Sequence, residues 1–296
     1  MKTTKRLLKI NLLVILCLAL LVGVFVTVSA ATADGPALGT GGNIHRPVRH
    51  VATRANIASA KEHTAYIKGY KDGTVRPMAP ATRAEAATIF YRLMDGQSRN
   101  KYWTDENKFH DVASSAWYNS AVSTVSNAKI IKGYGKGIFK PDAPVTRAEF
   151  VTMLIRFFGV PLDETATHPF TDVAEGSWAE PYIAAAYAKG WVKGSAKQLR
   201  PDDLITRAEV VIMVNRAAER APHKDHLLPD MKEWSDNLPG TWYYESIQEA
   251  TNSHYYKRIA EKIANTNIRY EDWIALIPNP NWKALEQAWA AAYGGK

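Results

Sequence analysis

The stretch Thr82-Arg83-Ala84-Glu85 returns twice in this sequence, at 146–149 and 206–209. The copies begin 64 and 60 residues apart, which indicates an internal repeat. Thr is a favoured N-cap, and a Glu three residues later can bond back to the backbone N–H of the cap. Apolar residues recur at positions 4, 5, 7, 8 and 11 after each Thr, as on the buried face of a helix. Each copy therefore predicts the start of a capped, core-facing helix.

An arginine occupies the first helical position of every copy, at Arg83, Arg147 and Arg207. Helix formation does not require it, since a cation there opposes the helix dipole by about 0.3 kcal/mol. Free N–H groups at a helix start favour an anion, and a guanidinium can hold a carboxylate or phosphate by two bonds. We therefore expect the arginines to bind an anion; the alternative is an ordinary solvated charge. A second arginine, nine residues later on the opposite face, is interpreted as structural: Arg92, Arg156 and Arg216.

Repeats two and three share a longer pattern. It consists of a Phe-x-Asp-Val start, a Trp eight residues after the Phe, a helix, and a Gly sixteen residues after the Trp. The residues are Phe109, Asp111, Trp117 and Gly133 in one repeat, and Phe170, Asp172, Trp178 and Gly194 in the other. Gly is the expected residue just past a helix. A turn, an Arg-Pro or Lys-Pro step and the capped helix follow, so one repeat is predicted as helix, Gly-rich turn and capped helix.

This combination resembles a triplet of S-layer homology (SLH) domains over roughly residues 55–220. The matching features are the Phe-x-Asp-Val starts, the Trp of the first helix, the Gly69-Tyr70-x-Asp72-Gly73 turn, the Arg/Lys-Pro step and Thr-Arg-Ala-Glu. The resemblance implies a mainly α fold, in which helix-loop-helix repeats form a pseudo-threefold spindle. It also implies a noncatalytic module that anchors an exported protein to a Gram-positive-type envelope. The implied ligand is an anionic secondary cell wall polymer, commonly pyruvylated.

The resemblance implies that the arginine of each Thr-Arg-Ala-Glu meets the acid group of the polymer in a cleft between repeats. The turns shape the clefts, and the tryptophans lie in or beside them. The expected ligand-binding residues are Arg83, Arg147, Arg207, Gly69, Tyr70, Asp72, Gly73, Gly133, Tyr134, Trp117 and Trp178. Repeat two has Lys136 where the turn has Asp, and the turn of repeat three, 194–197, is shorter and lacks both Tyr and Asp-Gly. The clefts are therefore expected to differ, with the third turn forming the weakest candidate.

Residues 1–30 follow the charged, apolar and small-residue order of a secretory signal peptide, with cleavage expected after Ala30 or Ala33. A retained N-terminal anchor is the alternative. The single cysteine, Cys17, lies in the apolar run after Leu16, where a lipoprotein signal needs a small residue, so lipidation is not expected. The further divisions are a flexible linker at 31–50, repeats at 51–100, 101–160 and 161–221, and a helical C-terminal extension at 222–296.

Charge and residue types limit the chemistry. The formal net charge of +8 includes four basic residues of the signal, so the secreted chain carries about +4, too little to indicate nucleic acid. No membrane partner is expected after signal removal, and no cofactor motif is present. His223 and His226 lie close in sequence but are interpreted as a solvated loop, so no metal site is expected.

The alternatives to an anchoring module are a subunit of a surface lattice that contacts S-layer proteins and, less favoured, an enzyme that acts on wall glycan.

Repeat one lacks its own Phe-x-Asp-Val and Trp. The segment after Trp242 has the apolar spacing of a first helix, and we hypothesise that it closes the ring, with Trp242 packed near Ile89 and Phe90. The alternative is a poorer first helix at 52–63. From residue 255 onward we predict a basic helical stretch and a last amphipathic helix. The aromatic face of that last helix suits a place in the core, a docking surface or stacking on sugars. The basic residues are Lys257, Arg258 and Lys262, and the amphipathic face is Trp282, Leu285, Ala288 and Trp289.

Overall fold

The computed structural model describes residues 60–163, 165–264 and 266–294. The predicted signal peptide at 1–30 and the linker at 31–50 lie outside these residues, so both stay predictions. Helices dominate the described part and a three-stranded sheet accompanies them, so the mainly α fold is confirmed. None of the helices in these three ranges is long and apolar enough to cross a membrane.

The helices lie in the following order: α1 Arg83–Leu93, α2 Gly96–Tyr102, α3 Asn119–Asn127, α4 Arg147–Phe157, α5 Glu180–Ala188, α6 Arg207–Ala217, α7 Tyr244–Thr251 and α8 Trp282–Tyr293. The strands are β1 Lys61–His63, β2 His254–Lys262 and β3 Arg269–Leu276, paired antiparallel in the order β1-β2-β3.

The capping boxes predicted for α1, α4 and α6 are all present. In each helix the threonine side chain accepts from the backbone N–H of the glutamate, and that glutamate accepts the N–H of the threonine at 3.0 Å. The apolar residues that follow are buried in the core, as their spacing predicts. Local sequence therefore sets where each of the three helices begins.

A ring of backbone hydrogen bonds joins the segments just before these helices. The N–H of Val145 donates to Ala81, that of Ile205 to Val145, and that of Ala81 to Ile205, each at 2.9 Å. All three residues are buried. The closed cycle fixes the starts of α1, α4 and α6 around a common pseudo-threefold axis.

The first amides of the capped helices also bond to the neighbouring repeat. The N–H groups of Arg83 and Ala84 donate to Ala143 and Pro141 at 3.0 and 2.9 Å, and the other two helices repeat the arrangement. The equivalent pairs are Arg147 to Asp203, Ala148 to Pro201, Arg207 to Ala79 and Ala208 to Pro77. The expectation that free helix-start amides attract an anion is therefore wrong, because carbonyl groups already satisfy them.

Each first helix packs on the capped helix of the preceding repeat. α3 contacts α1, α5 contacts α4, and α7 contacts α6 in the same way. Trp242 precedes α7 and is 59% exposed, so its expected packing near Ile89 and Phe90 is wrong. The ring of Phe90 instead packs on Phe150 and Phe157 of α4. The helix after Trp242 thus occupies a first-helix position, but its partner is α6.

An aspartate in front of each first helix holds the turn of a repeat. Asp111 accepts two backbone N–H groups from the residues that end the turn of repeat two, and Asp172 does the same in repeat three. In repeat one the acceptor is Asp236, 2.8 and 2.7 Å from the amides of Val75 and Arg76. Asp236 comes from the C-terminal segment, and its equivalence to the other two was not predicted.

An aromatic ring also lies against one glycine of each turn. Phe109 covers Gly133, Phe170 covers Gly194 and Trp234 covers Gly69, so closely that a Cβ at any of these glycines would overlap the ring. Trp234 precedes Asp236 by two residues and Trp242 by eight, the spacing of Phe109 to Asp111 and Trp117. We infer that residues 234–251 complete repeat one.

The C-terminal extension differs from the all-helical segment predicted. Lys257, Arg258 and Lys262 lie on strand β2, where His254 and Tyr256 are buried and Tyr255 and Lys257 are half-buried, a period of two that is typical of a strand. At the other end, 61–63 is strand β1, which contradicts that part of the alternative first helix at 52–63. Residues 52–59 lie outside the described ranges.

The last amphipathic helix is confirmed as α8 and lies on repeat one. The guanidinium carbon of Arg99 sits 3.7 Å from the Trp289 ring centroid, and Tyr91 meets the same ring edge-on at 5.4 Å. Arg92 lies 4.9 Å over Trp282. The aromatic face therefore docks on α1 and α2 of the same chain.

Candidate functional site: three clefts between repeats

The three arginines of the repeated motif reach into the turn of the next repeat. Their Nε atoms donate to the carbonyls of Phe139, Leu199 and Val75, at 2.8, 2.7 and 2.9 Å. We name the three inter-repeat clefts by the repeats that form them. Arg83 lies at the base of cleft 1–2, Arg147 at the base of cleft 2–3 and Arg207 at the base of cleft 3–1. All three arginines are buried, so they are not the solvated charges of the alternative interpretation.

The capping glutamate of the next repeat faces each guanidinium. Arg147 lies 2.7 Å from Glu209, and Arg207 lies 2.7 Å from Glu85. In cleft 1–2 the corresponding distance from Arg83 to Glu149 is 3.9 Å. One carboxylate thus caps a helix and pairs with an arginine, and that pairing is loosest in cleft 1–2.

A tyrosine covers two of the clefts. The hydroxyl of Tyr70 donates to Glu85 at 2.8 Å, and that of Tyr134 donates to Glu149 at 2.9 Å. The guanidinium carbons of Arg207 and Arg83 lie 5.2 and 4.5 Å from the respective ring centroids. Burial raises the pKa of both tyrosine hydroxyls, so they stay protonated donors near neutral pH.

Cleft 2–3 is built differently, as the short third turn predicts. No tyrosine stands in that turn, and Arg200 instead donates to Glu209 at 3.1 Å. Burial lowers the pKa of Arg147 beneath it. Two cations therefore share one carboxylate where the other clefts place a tyrosine.

A cation immediately before a proline is common to all three clefts. Arg76, Lys140 and Arg200 are exposed and adopt left-handed backbone angles, with φ of 52°, 58° and 59°. Sequence reasoning noted the Arg/Lys-Pro step as a family feature but did not assign it to the site. The step itself was the signal, because its cation recurs seven residues before each motif arginine.

The acidic partners of these cations differ between clefts. Arg76 pairs with Asp72 at 3.0 Å, and Arg200 pairs with Asp203 at 3.5 Å. Lys140 lies 4.9 Å over the ring of Tyr134, and Lys136 replaces the turn aspartate of that cleft. Cleft 1–2 thus joins the loosest arginine–glutamate pair to a turn in which a lysine replaces the aspartate.

The remaining predicted site residues lie at the turns and on the surface. The side chain and backbone of Thr74 and the guanidinium of Arg76 lower the pKa of Asp72 to about 2. Gly73 adopts a φ of +81° in that turn. Trp117 and Trp178 are 63% and 62% exposed in front of their helices. The ring of Trp117 contacts its neighbour Tyr118.

The second recurring arginine lies away from the clefts. Arg92, Arg156 and Arg216 reach Tyr66 O, Tyr182 OH and Trp191 O at 3.4, 3.1 and 3.4 Å. These bonds fit the structural role predicted for them. The predicted close pair of histidines lies on the C-terminal extension, where His226 is 3.0 Å from Asp272.

A large open cleft of about 770 Å³ lies beyond the arginines, between α6 and the β2–β3 hairpin. Trp242 and Arg216 line it. Arg216 is nine residues from Arg207 along α6, roughly 14 Å away at the rise of a helix. This 770 Å³ cavity therefore does not coincide with the site predicted around the motif arginines.

The turn aspartates predict a loss of stability in acid. Burial raises the pKa of the carboxyls of Asp111 and Asp172, but backbone hydrogen bonds to them outweigh it and the net pKa is lowered. Their contribution is present above the ordinary aspartate pKa of about 3.9 and is lost as the pH falls through the lower folded-state value. We expect urea unfolding to show a shallower acid loss in Asp111→Asn and Asp172→Asn. Asp202→Asn is the control, because Asp202 is exposed and directly follows the Arg200-Pro201 step of the same repeat as Asp172, and it should leave the profile unchanged.

Comparison with known proteins adds to this geometry. The pattern described as "S-layer homology domain" matches residues 57–87, 108–151 and 169–211. The chain is 36% identical over 200 residues to the Cellulosome-anchoring protein of Acetivibrio thermocellus, covering 66% of this chain and 44% of that protein. It is 33% identical over 207 residues to Cell surface glycoprotein 1 of the same organism, covering 66% of this chain and 9% of the relative.

A third relative is the Surface-layer 125 kDa protein of Lysinibacillus sphaericus, 31% identical over 158 residues, which are 52% of this chain and 13% of that protein. The chain thus spans less than half the length of these relatives. The matched segments contain all three Thr-Arg-Ala-Glu motifs and the two Phe-x-Asp-Val starts. The chain therefore carries three tandem S-layer homology domains.

Proposed function

We propose that the chain is a noncatalytic module that holds a protein at the cell surface by binding an anionic, pyruvylated secondary cell wall polymer. The relatives named for cellulosome anchoring and for the surface layer support the anchoring role. The proposed site is the set of three clefts, with the motif arginines, turn residues and exposed tryptophans contributing contacts. Several weak sites on one rigid body would gain by avidity, which suits retention on a polymer.

Cleft 1–2 is the strongest candidate for the polymer-binding site. The pairing of Arg83 with Glu149 is longer than the equivalent pairs, so Nη1 of Arg83 is loosely held, whereas its Nη2 donates to the carbonyl of Lys132 at 2.7 Å. Lys140 and the hydroxyl of Tyr134 border the same guanidinium. A carboxylate placed there would replace a 3.9 Å ion pair by closer charge-assisted bonds. We therefore rank cleft 1–2 first, and cleft 2–3 last because Arg200 occupies the place of the tyrosine.

Sedimentation with purified wall sacculi tests this function. The chain from residue 31 onward should sediment with intact sacculi and stay in solution after chemical removal of the non-peptidoglycan polymer. Binding should weaken as salt rises, because the contacts are ionic. Equal binding to stripped sacculi would contradict the proposal. Concentration-dependent self-assembly without polymer binding would favour the lattice subunit instead.

One substitution separates cleft 1–2 from general charge. Lys140→Ala is expected to weaken polymer binding about tenfold, the loss of one charge-assisted contact of about 1.4 kcal/mol. Lys129→Ala is the matched control, since Lys129 is also exposed, lies in repeat two and has a φ of 60°. Equal weakening by both variants would show that only net charge matters. Arg83→Ala, Arg147→Ala and Arg207→Ala would be run with a circular dichroism check, because these side chains are buried.

A further inference from the structure

Four titratable side chains from four separate elements meet at the three-stranded sheet and α7. They are His63 at the end of β1, Glu249 on α7, His254 at the start of β2 and Glu271 on β3. One ligand atom from each residue lies within 4.8 Å of the ligand atoms of the other three, and all four residues are buried. The four belong neither to the clefts nor to the hydrophobic core, so another role must account for their burial.

Three atoms of this cluster have no hydrogen-bond partner although they are buried. They are Oε2 of Glu249, Oε2 of Glu271 and Nε2 of His254, each on a side chain with 0% exposure. A buried carboxylate oxygen without a partner is costly, by roughly 1–3 kcal/mol or more. Because the ligand atoms of the cluster lie within 4.8 Å of one another, one cation placed among them could pair with all three.

The opposite ends of the same side chains are held by other groups. The Oε1 of Glu271 accepts from the Ala221 amide at 3.1 Å and lies 3.1 Å from Arg258. The Oε1 of Glu249 lies 3.6 Å from Arg220. Each arginine thus pairs with Oε1 of a glutamate, and Oε2 of each glutamate lies nearest a histidine nitrogen, His254 Nε2 for Glu249 and His63 Nδ1 for Glu271.

His254 is fixed in the form that a metal requires. Its Nδ1 lies 2.9 Å from the carbonyl of Asn252, so Nδ1 carries the proton and Nε2 presents its lone pair to the cluster. The ring is stacked 3.8 Å from Trp273, which prevents it from turning. A backbone carbonyl behind an imidazole is the usual support of a metal-binding histidine.

Two of the ligand spacings match a tetrahedral centre, and none of the four ligand atoms is more than 4.8 Å from another. Metal bonds of about 2.0–2.1 Å to nitrogen and oxygen place neighbouring ligand atoms roughly 3.3–3.4 Å apart. Nε2 of His254 and Oε2 of Glu249 are 3.3 Å apart, and Nδ1 of His63 and Oε2 of Glu271 are 3.4 Å apart. Nδ1 of His63 also lies 2.8 Å from Oε1 of Glu249, so without a metal it carries the proton of that hydrogen bond. Metal binding at Nδ1 would release this proton to solvent and break the hydrogen bond.

We propose that His63, Glu249, His254 and Glu271 form a site for a divalent transition metal, with Zn²⁺ as the best fit. Two imidazoles and two carboxylates in four-coordinate geometry suit zinc, whereas calcium and magnesium prefer six or more oxygen ligands. With every ligand position supplied by protein, the site is structural. The metal joins β1, which precedes repeat one, to α7 and the hairpin that complete it.

Metal content is the direct test, made on the chain from residue 31 onward. After treatment with a chelator, dialysis against limiting zinc should return one zinc per chain and raise the melting temperature. Co²⁺ substitution should give the visible absorption of a tetrahedral centre, which reports the geometry without any variant. A chain that retains no zinc and shows no such absorption would overturn the proposal and identify a proton-linked charge network.

Variants assign the ligands. His254→Gln and Glu271→Gln are expected to lower zinc affinity at least about 100-fold. The matched control is the double change His223→Gln and His226→Gln, which removes the other close histidine pair of the extension. Zinc binding lost in the control and kept in His254→Gln would contradict the assignment. If the Gln variants fail to fold, His63→Gln at the sheet edge and the wild-type Co²⁺ spectrum still decide between the outcomes.

Discussion

Replacing Trp234 by alanine is expected to lower the free energy of unfolding by about 3–5 kcal/mol. The ring is 6% exposed and lies against Gly69, the place that Phe109 and Phe170 fill in the other repeats. Its indole N–H also donates to Thr251 at 2.9 Å, so the change removes a buried hydrogen bond with the packing. Urea unfolding followed by tryptophan-independent circular dichroism measures the loss.

Trp242→Ala is the control, since Trp242 is 59% exposed eight residues later. We expect it to change stability by less than about 1 kcal/mol. Similar losses in both variants would mean that residues 234–251 do not complete repeat one in the way inferred.

Replacing Glu85 by alanine is expected to cost about 3 kcal/mol or more of folding stability. The Glu85 carboxylate caps α1, accepts from Tyr70 and pairs with Arg207 at 2.7 Å, so its loss leaves a buried guanidinium without its counter-ion. Thermal and urea unfolding measure the change.

Glu149→Ala is the comparison within the same molecule. Glu149 caps α4 in the same way, but its arginine stands at 3.9 Å, so the expected loss is nearer the roughly 1 kcal/mol of a helix cap. A loss in Glu149→Ala equal to that in Glu85→Ala would show that the distance difference between clefts has no energetic weight.

The capped helices could be predicted because their determinants are local. Thr82 and Glu85 are three residues apart, and a capping box followed by helical apolar spacing leaves little alternative. The turns likewise follow from short motifs. The same reasoning went wrong where it treated a helix start as isolated. The amides of Arg83 and Ala84 donate to carbonyl groups of the neighbouring repeat, 57–60 residues away. A local sequence pattern cannot predict acceptors at that distance.

Other features depend on pairings across the whole chain. The role of Asp236 could have been predicted from sequence, since Trp234, Asp236 and Trp242 keep the spacing of Phe109, Asp111 and Trp117. It was missed because Trp234 stands where the motif has Phe. The β2–β3 hairpin was wrongly predicted as helical, because its basic and aromatic residues are compatible with a helix or a strand until the partner strand is known. His63 and Glu249 are 186 residues apart, so their contact has no sequence signature at all.

Closure of the ring by the last part of the chain has a consequence for how the protein acquires its structure. Asp236 bonds to Val75 across 161 residues, and Ala65 bonds to Ser253 across 188. Contacts of such sequence separation carry a large loop-closure entropy and slow folding. Repeat one is first in the sequence yet can be completed only when the C-terminal segment has been synthesised. We therefore expect repeat one of the newly made chain to stay incompletely folded until residues 234–253 have been synthesised.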